Sequence, residues 1–338
     1  MKHMTLRGTH YEAGLQYGSA LAAEGCFLPE RVPFPITEER RSFARACLPA
    51  YQIHFPELLE EIRGLARGQG CGEEVLRTVL LSMYALPPAC GCSCFAFSRG
   101  GQTLLGRNSD FWLALEDRNL NVRYRLSPPA HGFTGSTTAF LEVEDGVNDR
   151  ALAVGLTAVA PARIKPGFNA GMLVRYLLEK CASVPQALKA LETLPIASSQ
   201  TLTLADGGGE IAVAECSAQG LRILRPTADR PFVHAVNRFV SDLPAPAGDD
   251  WRSGERRETL ERALSAHRGA MGVDQAQALL SGKRGYLCQY DPTGGKGTVW
   301  SVIYDLTNKR IHRAEGSPAH YPYLRELFPQ GAAFRPSP

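Results

Sequence analysis

The sequence lacks the features of a membrane protein or a nucleic-acid-binding protein. No stretch approaches the roughly 20 apolar residues that a membrane-spanning helix needs, and residues 1–8 contain no apolar core of a signal peptide. The formal net charge is only +3 on 338 residues, and no run of lysine and arginine stands out. These absences predict a cytoplasmic protein with neither a membrane nor a nucleic acid as partner. A homo-oligomer remains possible on this evidence from the sequence.

The cysteines lack the pattern of a disulfide framework. Their number, nine, is odd, and they are scattered along the chain, which is typical of reduced cytoplasmic thiols. Cys90, Cys92 and Cys94 stand two residues apart, whereas structural zinc sites use Cys-x-x-Cys pairs with a second ligand pair elsewhere. A thiol redox or metal-binding protein built on these three residues is kept as an alternative from another functional class.

What the sequence does contain is a strong hairpin signal around Cys92. From this residue the side chains alternate between two faces, and Arg99-Gly100-Gly101 supply a tight turn. A second strand is predicted over residues 102–105. Because a hairpin returns the chain to its starting point, we expect Arg107 and Asp110 to lie close to Cys92.

These charged neighbours suit a nucleophilic thiol. A thiolate forms more readily beside a cation such as Arg107, and a carboxylate such as Asp110 can hold an ammonium group or orient a proton carrier. Ordinary strand cysteines beside a structural ion pair would show the same spacing, so the residues alone leave both interpretations open. Cys94 is the rival nucleophile, but it lacks the glycine that precedes Cys92.

The segment resembles the acyl-coenzyme A:isopenicillin N acyltransferase-like family and its relatives, the choloylglycine hydrolases, which are N-terminal nucleophile (Ntn) hydrolases. The family pattern is a Gly-Cys junction, a small hydroxyl residue, a short hairpin and a Gly-Arg-Asn-x-Asp motif. It is met by Gly91-Cys92-Ser93 and Gly106-Arg107-Asn108-Ser109-Asp110. Further family-like segments follow in the family's order at residues 146–154, 233–239, 253–257, 298–305 and 316–318.

The resemblance implies an α+β fold, the four-layer αββα sandwich of the Ntn hydrolases. Strands flanked by pairs of helices agree with such layered packing. The resemblance also implies that the bond between Gly91 and Cys92 is cut by the protein itself. The chain would then divide into a helical segment of residues 1–91 that stays bound after the cut, a catalytic domain of residues 92–330 and a flexible tail of residues 331–338.

Periodicity and turn residues predict the individual elements. Helices are predicted near residues 38–50, 56–68, 73–84, 172–181, 184–194, 253–266 and 273–281, with Pro87-Pro88 ending the third. Further strands are predicted over residues 139–144, 152–158, 200–204, 210–215, 221–224, 299–304 and 310–315.

By the resemblance, Asp110 would anchor the α-amine of Cys92, and Arg107 would tune the thiol and the substrate pocket. Arg256 would belong to the charged network around the nucleophile, although a solvated arginine at a helix start would look the same. Asn237 is the first candidate for a donor to the oxyanion, with an Asx-turn residue as the alternative.

One departure from the family concerns the second oxyanion donor. Thr157 stands where the family often has asparagine, and its hydroxyl could donate a single hydrogen bond. We therefore expect Asn237 to carry most of the oxyanion stabilisation.

The predicted function is a self-processing amidohydrolase that acts on a linear C–N amide bond of a small N-acylated substrate. N-acyl amino acids, acyl β-lactams and bile-salt-like amides are the candidate substrates. A freed α-amine has a reference pKa of about 8, near the value of about 8.5 for a thiol, so Cys92 could carry nucleophile and base together. The chemistry then needs no histidine, cofactor or metal. An acyltransferase that passes the acyl group to an amine is the alternative.

Overall fold

The computed structural model describes residues 1–86, 91–246, 248, 251–267 and 269–329. Cys90, the predicted helix end at Pro87-Pro88 and the predicted tail of residues 331–338 lie outside this part of the chain. Among the described residues no helix is both long and apolar enough to cross a membrane.

The described residues form 14 strands and nine α-helices. The strands are β1 (Lys2–Gly8), β2 (Gly91–Arg99), β3 (Gln102–Trp112), β4 (Leu120–Leu126), β5 (Phe133–Thr137), β6 (Asp145–Asn148), β7 (Leu152–Ala158), β8 (Gln200–Asp206), β9 (Ile211–Ser217), β10 (Gly220–Leu224), β11 (Phe232–Ala235), β12 (Lys296–Asp305), β13 (Arg310–Ala314) and β14 (Leu324–Leu327). The helices are α1 (His10–Ala23), α2 (Leu28–Arg31), α3 (Glu38–His54), α4 (Pro56–Gln69), α5 (Glu73–Ser82), α6 (Ala170–Lys180), α7 (Val184–Thr193), α8 (Ser253–Ala266) and α9 (Val273–Leu280).

The strands form two sheets. The larger sheet has eight strands in the order β1-β4-β5-β6-β7-β8-β9-β10, and the smaller has six in the order β11-β2-β3-β12-β13-β14. Neighbouring strands run antiparallel except β1 and β4, which are parallel. The hairpin of β2 and β3 therefore lies inside the smaller sheet, covered on both edges.

Three buried apolar clusters separate four layers. The first lies between the larger sheet and the helices α1 and α3 to α7. The second lies between the two sheets and includes Cys94 and Val302. The third joins the smaller sheet to α8 and α9 and includes Phe95 and Leu264. This arrangement is the αββα sandwich that the resemblance implied, and the prediction is confirmed.

Local sequence explains the hairpin that carries Cys92. Gly100 and Gly101 have φ values of +64° and +77°, which suit a two-residue turn of type I′ and strongly favour glycine. Alternation sends Cys94 toward the larger sheet and Phe95 toward α8 and α9. The hairpin is longer than predicted, because the second strand continues through the Gly-Arg-Asn-Ser-Asp motif to Trp112.

Most periodic segments form the predicted elements, with two departures. The segment 139–144, predicted as a strand, is an irregular turn in which Phe140 has a φ of +63°. That prediction was wrong because Glu144 faces inward, where it accepts hydrogen bonds from the backbone and hydroxyl of Thr138. The N-terminal part of the chain is also less purely helical than expected, because β1 pairs with β4 at the edge of the larger sheet. The division into residues 1–91 and 92–330 stays a prediction.

Candidate active site

The site is built on the register of the β2–β3 hairpin. Cys92 lies opposite Ser109, Cys94 opposite Arg107, and Gly91 opposite Asp110. The Arg107 side chain nevertheless reaches back along the hairpin, and its Nη2 donates to the Sγ of Cys92 at 3.1 Å. The structure therefore brings together the thiol and the cation that the sequence placed near each other.

Arg107 is fully buried and held at every part of its guanidinium. Nε donates to the carbonyl of Leu156 at 2.8 Å, Nη1 donates to Asp145 Oδ2 at 2.7 Å, and Nη2 also reaches Glu144 Oε2 at 3.3 Å. Burial alone would lower the pKa of Arg107, but the neighbouring negative groups, Cys92 and Asp145 first among them, raise it well above its ordinary value. The guanidinium is thus a permanent positive charge beside the thiol.

Asp145 in turn is locked by two side chains of the smaller sheet. Trp300 Nε1 donates to its Oδ2 and the hydroxyl of Tyr304 donates to its Oδ1, both at 2.7 Å. Space for the arginine is provided by Gly155, where a Cβ would lie 3.3 Å from Arg107 Cδ and 2.6 Å from Cys94 Sγ. The position of the cation is therefore fixed by contacts that cross between the two sheets.

The backbone of Cys92 is held by Asn237 and Arg256. Its N–H donates to Asn237 Oδ1 at 3.0 Å, and its carbonyl accepts from Arg256 Nη1. Arg256 is fully buried and also donates to Asn237 Oδ1 at 2.6 Å and to Ser93 Oγ at 2.9 Å. Arg256 is therefore part of the site and not a solvated residue at the start of α8. Asn237 Nδ2 donates to the carbonyl of Ala158 at 2.9 Å.

Asp110 is buried at the same end of the hairpin, opposite Gly91. It accepts hydrogen bonds from the hydroxyls of Thr298 at 2.6 Å and Tyr290 at 3.0 Å, and Arg256 Nη1 lies 3.6 Å away. Burial raises the pKa of Asp110, while Arg256 and the two hydroxyls oppose that shift. A cation placed beside this carboxylate would favour its charged form.

Thr157 does not contact Cys92 in the way expected of a direct oxyanion donor. Its hydroxyl donates to the carbonyl of Val236 at 2.9 Å and lies 2.5 Å from the hydroxyl of Thr201. A threonine hydroxyl has one proton, and here that proton holds the backbone immediately before Asn237. The geometry thus gives Thr157 a contact that positions Asn237, and its donation to the oxyanion stays a prediction.

Two residues of this site were not anticipated from sequence. Glu144 accepts from the hydroxyls of Tyr84 at 2.9 Å, Thr138 at 2.8 Å and Ser109 at 3.2 Å, and Asp145 holds Arg107. The available signal was the pair of adjacent acids Glu144 and Asp145, which the prediction of a strand over residues 139–144 obscured.

The glycine before Cys92 has a steric reason. A Cβ at Gly91 would lie 2.8 Å from the ring of Trp251, closer than real Cβ atoms approach other atoms. Trp251 packs edge-to-face on Trp112 with ring centroids 5.8 Å apart. The ring of Trp251 therefore packs against Gly91 and leaves no room for a side chain at this position.

The other sequence candidates lie in different surroundings. Cys94 is buried between the sheets, and burial raises the pKa of its thiol to about 12. His234 contacts Glu261 at 2.8 Å, and burial lowers its pKa. Within the described part of the chain no group of three or more His, Cys, Asp or Glu residues is placed to hold a metal ion.

A sequence model of the family described as acyl-coenzyme A:6-aminopenicillanic acid acyl-transferase matches residues 97–320, about two thirds of the chain. The chain belongs to this family. The matched range contains Arg107, Asp110, Thr157, Asn237 and Arg256 and begins five residues after Cys92. The protein is thus an enzyme of the Ntn-hydrolase type that acts on linear amide bonds, by hydrolysis or by acyl transfer.

Solved structures of amide-cleaving enzymes are similar to this chain. An N-acylethanolamine-hydrolyzing acid amidase ortholog from Caenorhabditis elegans is 17% identical over 70% of this chain and 100% of its own, with a TM-score of 0.47. Penicillin V acylase from Agrobacterium tumefaciens is 14% identical over 70% and 86%, with a TM-score of 0.46. A mutant conjugated bile acid hydrolase from Clostridium perfringens is 11% identical over 72% and 99%, with a TM-score of 0.44. No curated protein sequence matches the chain. Identities and TM-scores this low carry no conclusion about substrate.

Proposed function

We propose that this enzyme is a self-processing cysteine amidohydrolase with Cys92 as its nucleophile. The observation that carries the proposal is the contact of 3.1 Å between Arg107 Nη2 and Cys92 Sγ, made by a fully buried cation at a Gly-Cys junction. A fixed positive charge stabilises the thiolate, which is the reactive form of cysteine. Cys94, two residues along the strand, lies instead in the apolar layer between the sheets.

The first step of the proposal is processing at the Gly91–Cys92 bond. The thiol of Cys92 attacks the carbonyl of Gly91, the C–N bond breaks, and the amine of Cys92 takes up the proton that the thiol loses. Water then hydrolyses the resulting thioester and releases the acid end of residues 1–91. Asn237 and Arg256 support this step by holding the backbone N–H and carbonyl of Cys92. An intramolecular attack of this kind benefits from a high effective concentration.

The second step is turnover of the amide substrate. The α-amine of Cys92 accepts the thiol proton, the thiolate attacks the substrate carbonyl, and the departing amine takes that proton. Water hydrolyses the thioester and regenerates the thiol. Asp110 lies opposite Gly91 and is buried, so it supports an ammonium group at residue 92. Asn237, whose Nδ2 already acts as a donor, is the side chain that we assign to the oxyanion.

The substrate class is a small N-acylated compound such as an N-acyl amino acid, an acyl β-lactam or a bile-salt-like amide. We expect the enzyme to work in the cytoplasm, because an odd number of cysteines scattered along the chain is typical of reduced thiols. An acyltransferase that uses the same thioester is the second candidate, because the family description itself names acyl transfer. The two differ in whether water or an amine resolves the thioester.

Intact mass spectrometry of the purified protein tests the proposal. We expect two fragments, residues 1–91 and residues 92–338, from the wild-type chain, and only the full-length chain from Cys92→Ala. Cys94→Ala is the matched control and should be processed as the wild type is. A wild-type chain that remains full length while hydrolysing amides would show that the free-amine mechanism is wrong. An amine acceptor such as 6-aminopenicillanic acid, which the family description names, separates the two candidates, since an acyltransferase forms the new amide at the expense of the acid and a hydrolase forms only the acid.

A further inference from the structure

A cavity of about 280 Å³ lies beside the site, where β3 ends. Its wall is mainly apolar and includes Phe34, Met83, Leu86, Phe111, Leu115 and Phe140. Tyr84 also lines the cavity, and its hydroxyl donates to the carboxylate of Glu144, whose other oxygen accepts from Arg107. Two hydrogen bonds, from Tyr84 to Glu144 and from Arg107 to Glu144, therefore connect the cavity wall to the guanidinium that contacts Cys92.

Three arginines, Arg31, Arg40 and Arg118, share this apolar wall, and we call them the cavity arginines. No aspartate or glutamate is among the described residues that line the cavity. Within the described residues none of the three forms an ion pair, whereas other surface arginines do so, as Arg63 does with Glu60. The cavity thus combines apolar walls with positive charge that no lining carboxylate balances.

Backbone and ring contacts fix two of these cations. Arg118 Nη1 donates to the carbonyl of Arg31 at 2.6 Å. Arg40 Nη1 donates to the hydroxyl of Ser82 at 3.0 Å and to its carbonyl at 3.3 Å, and the guanidinium lies over the ring of Phe34 at 3.8 Å from the centroid. Burial lowers the pKa of Arg40, and the charge of Glu39 opposes this shift. The cations are therefore positioned before any ligand binds, which reduces the entropy lost on binding.

On the basis of the proposed function, we propose that the cavity binds the acyl part of the substrate and that this acyl chain ends in a carboxylate held by the cavity arginines. Guanidinium groups bind carboxylates through paired charge-assisted hydrogen bonds. A neutral apolar chain would cover these cations without supplying a partner, which is unfavourable. The acyl side is assigned because the chain leading to Gly91 forms one wall of the cavity through Met83, Tyr84 and Leu86. In the processing step, that chain is itself the acyl side of the bond that Cys92 attacks.

Matched substrates test this proposal on the processed enzyme with the fragment of residues 1–91 still bound, because that fragment supplies Arg31, Arg40 and part of the apolar wall. The 4-nitroanilide of hexanoic acid and the mono-4-nitroanilide of hexanedioic acid have the same chain length and differ in the terminal carboxylate. We expect kcat/KM to be at least about tenfold higher for the carboxylate compound. Arg118→Gln and Arg31→Gln should each remove most of this preference while changing kcat/KM for the neutral compound less than about twofold. Equal rates for both compounds in the wild type would overturn the proposal.

Control variants separate a specific contact from a general change of charge or fold. Arg41 lies on the same helix as Arg40 but does not line the cavity. The variant Arg41→Gln should therefore keep the full preference for the carboxylate compound. Arg31 is the most solvent-exposed of the three, and a melting temperature unchanged in Arg31→Gln shows that the fold is intact. Loss of the preference in Arg41→Gln as well would overturn the assignment to the cavity. N-hexanoylglycine and its amide test the amine side, and a preference there that depends on Arg118 would overturn the acyl assignment.

A binding experiment keeps this inference distinct from the proposed function. The full-length Cys92→Ala chain cannot turn over, and calorimetry can compare its affinity for the monoamide of hexanedioic acid with that for hexanamide. Tighter binding of the monoamide that is lost in Arg118→Gln supports the cavity assignment. This conclusion holds even if the wild type hydrolyses neither anilide, a result that would contradict the proposed function alone. Equal binding of both amides, with hydrolysis of both anilides, would leave the function standing and overturn the cavity assignment.

Discussion

Cys92 and Cys94 lie two residues apart on the same face of one strand, yet their surroundings differ. The hairpin register places Cys94, not Cys92, opposite Arg107. The guanidinium nevertheless bonds to Cys92, because Asp145 and the Leu156 carbonyl direct it toward the end of the hairpin. Cys94 is left in the apolar layer between the sheets, where burial raises the pKa of its thiol to about 12. The hairpin register alone would therefore assign Arg107 to the wrong cysteine. Tertiary contacts determine which of the two thiols the guanidinium contacts.

The largest expected effect comes from removing the proposed nucleophile, Cys92. Cys92→Ala should abolish both processing and amide turnover with the fold retained, because the Cys92 thiol is the one that accepts a hydrogen bond from the buried Arg107 guanidinium. Cys94→Ala should keep both activities. Mass spectrometry for processing and an amide assay for turnover give the result.

Alkylation gives an independent check on the same pair. At pH 8 the buried Cys94 thiol stays protonated, because its pKa of about 12 lies far above that pH. Iodoacetamide should therefore label Cys92 in the native protein much faster than Cys94. Equal loss of activity in Cys92→Ala and Cys94→Ala, or equal labelling, would contradict the distinction between the two thiols.

The next effect concerns Asn237, which holds the backbone of Cys92 and is assigned to the oxyanion. Loss of one oxyanion donor lowers kcat by about 10²–10³ with little change in KM. We expect Asn237→Ala to lose at least that much, measured as kcat and KM on an amide that the enzyme turns over. An increase in KM alone would show that Asn237 only binds substrate.

Arg107→Lys should have a smaller effect, because it keeps the charge and loses the fork of donors. A lysine has a single nitrogen, so it cannot contact Asp145, the Leu156 carbonyl and Cys92 together. We expect alkylation of Cys92 at a fixed pH to slow by about tenfold, with a similar loss of kcat. Unchanged alkylation with lower activity would instead assign Arg107 to the substrate.

The smallest effect is expected for Thr157→Val. Its hydroxyl bonds to Val236 and Thr201 and holds the chain before Asn237, so kcat should fall by much less than in Asn237→Ala. Leaving the buried Val236 carbonyl without a partner should cost about 1–3 kcal/mol of unfolding free energy, measured by denaturant titration. If the valine variant lost as much kcat as Asn237→Ala, the hydroxyl would have a direct role in the reaction.

Much of the site could be predicted from sequence because its signals are local. Gly100 and Gly101 at positive φ specify the turn, alternation specifies the faces of the strand, and the Gly-Cys and Gly-Arg-Asn-Ser-Asp segments then meet across one hairpin. Helices such as α4 and α6 follow from apolar residues repeated at helical spacing. The family segments place Asn237 and Arg256 in the right order, and the structure brings both to the backbone of Cys92.

The tertiary structure alone decided where the buried charges meet. The carboxylates of Glu144 and Asp145 reach Arg107 from the start of β6 in the larger sheet and the residue before it, and this contact depends on the packing of the layers and not on any local repeat. The same packing turns the hydroxyl of Thr157 toward Val236 and brings arginines from the N-terminal helices to a cavity where β3 ends. Sequence patterns show short-range periodicity. The hydrogen-bond partners of a buried guanidinium lie far away in the sequence and are set by how the layers pack.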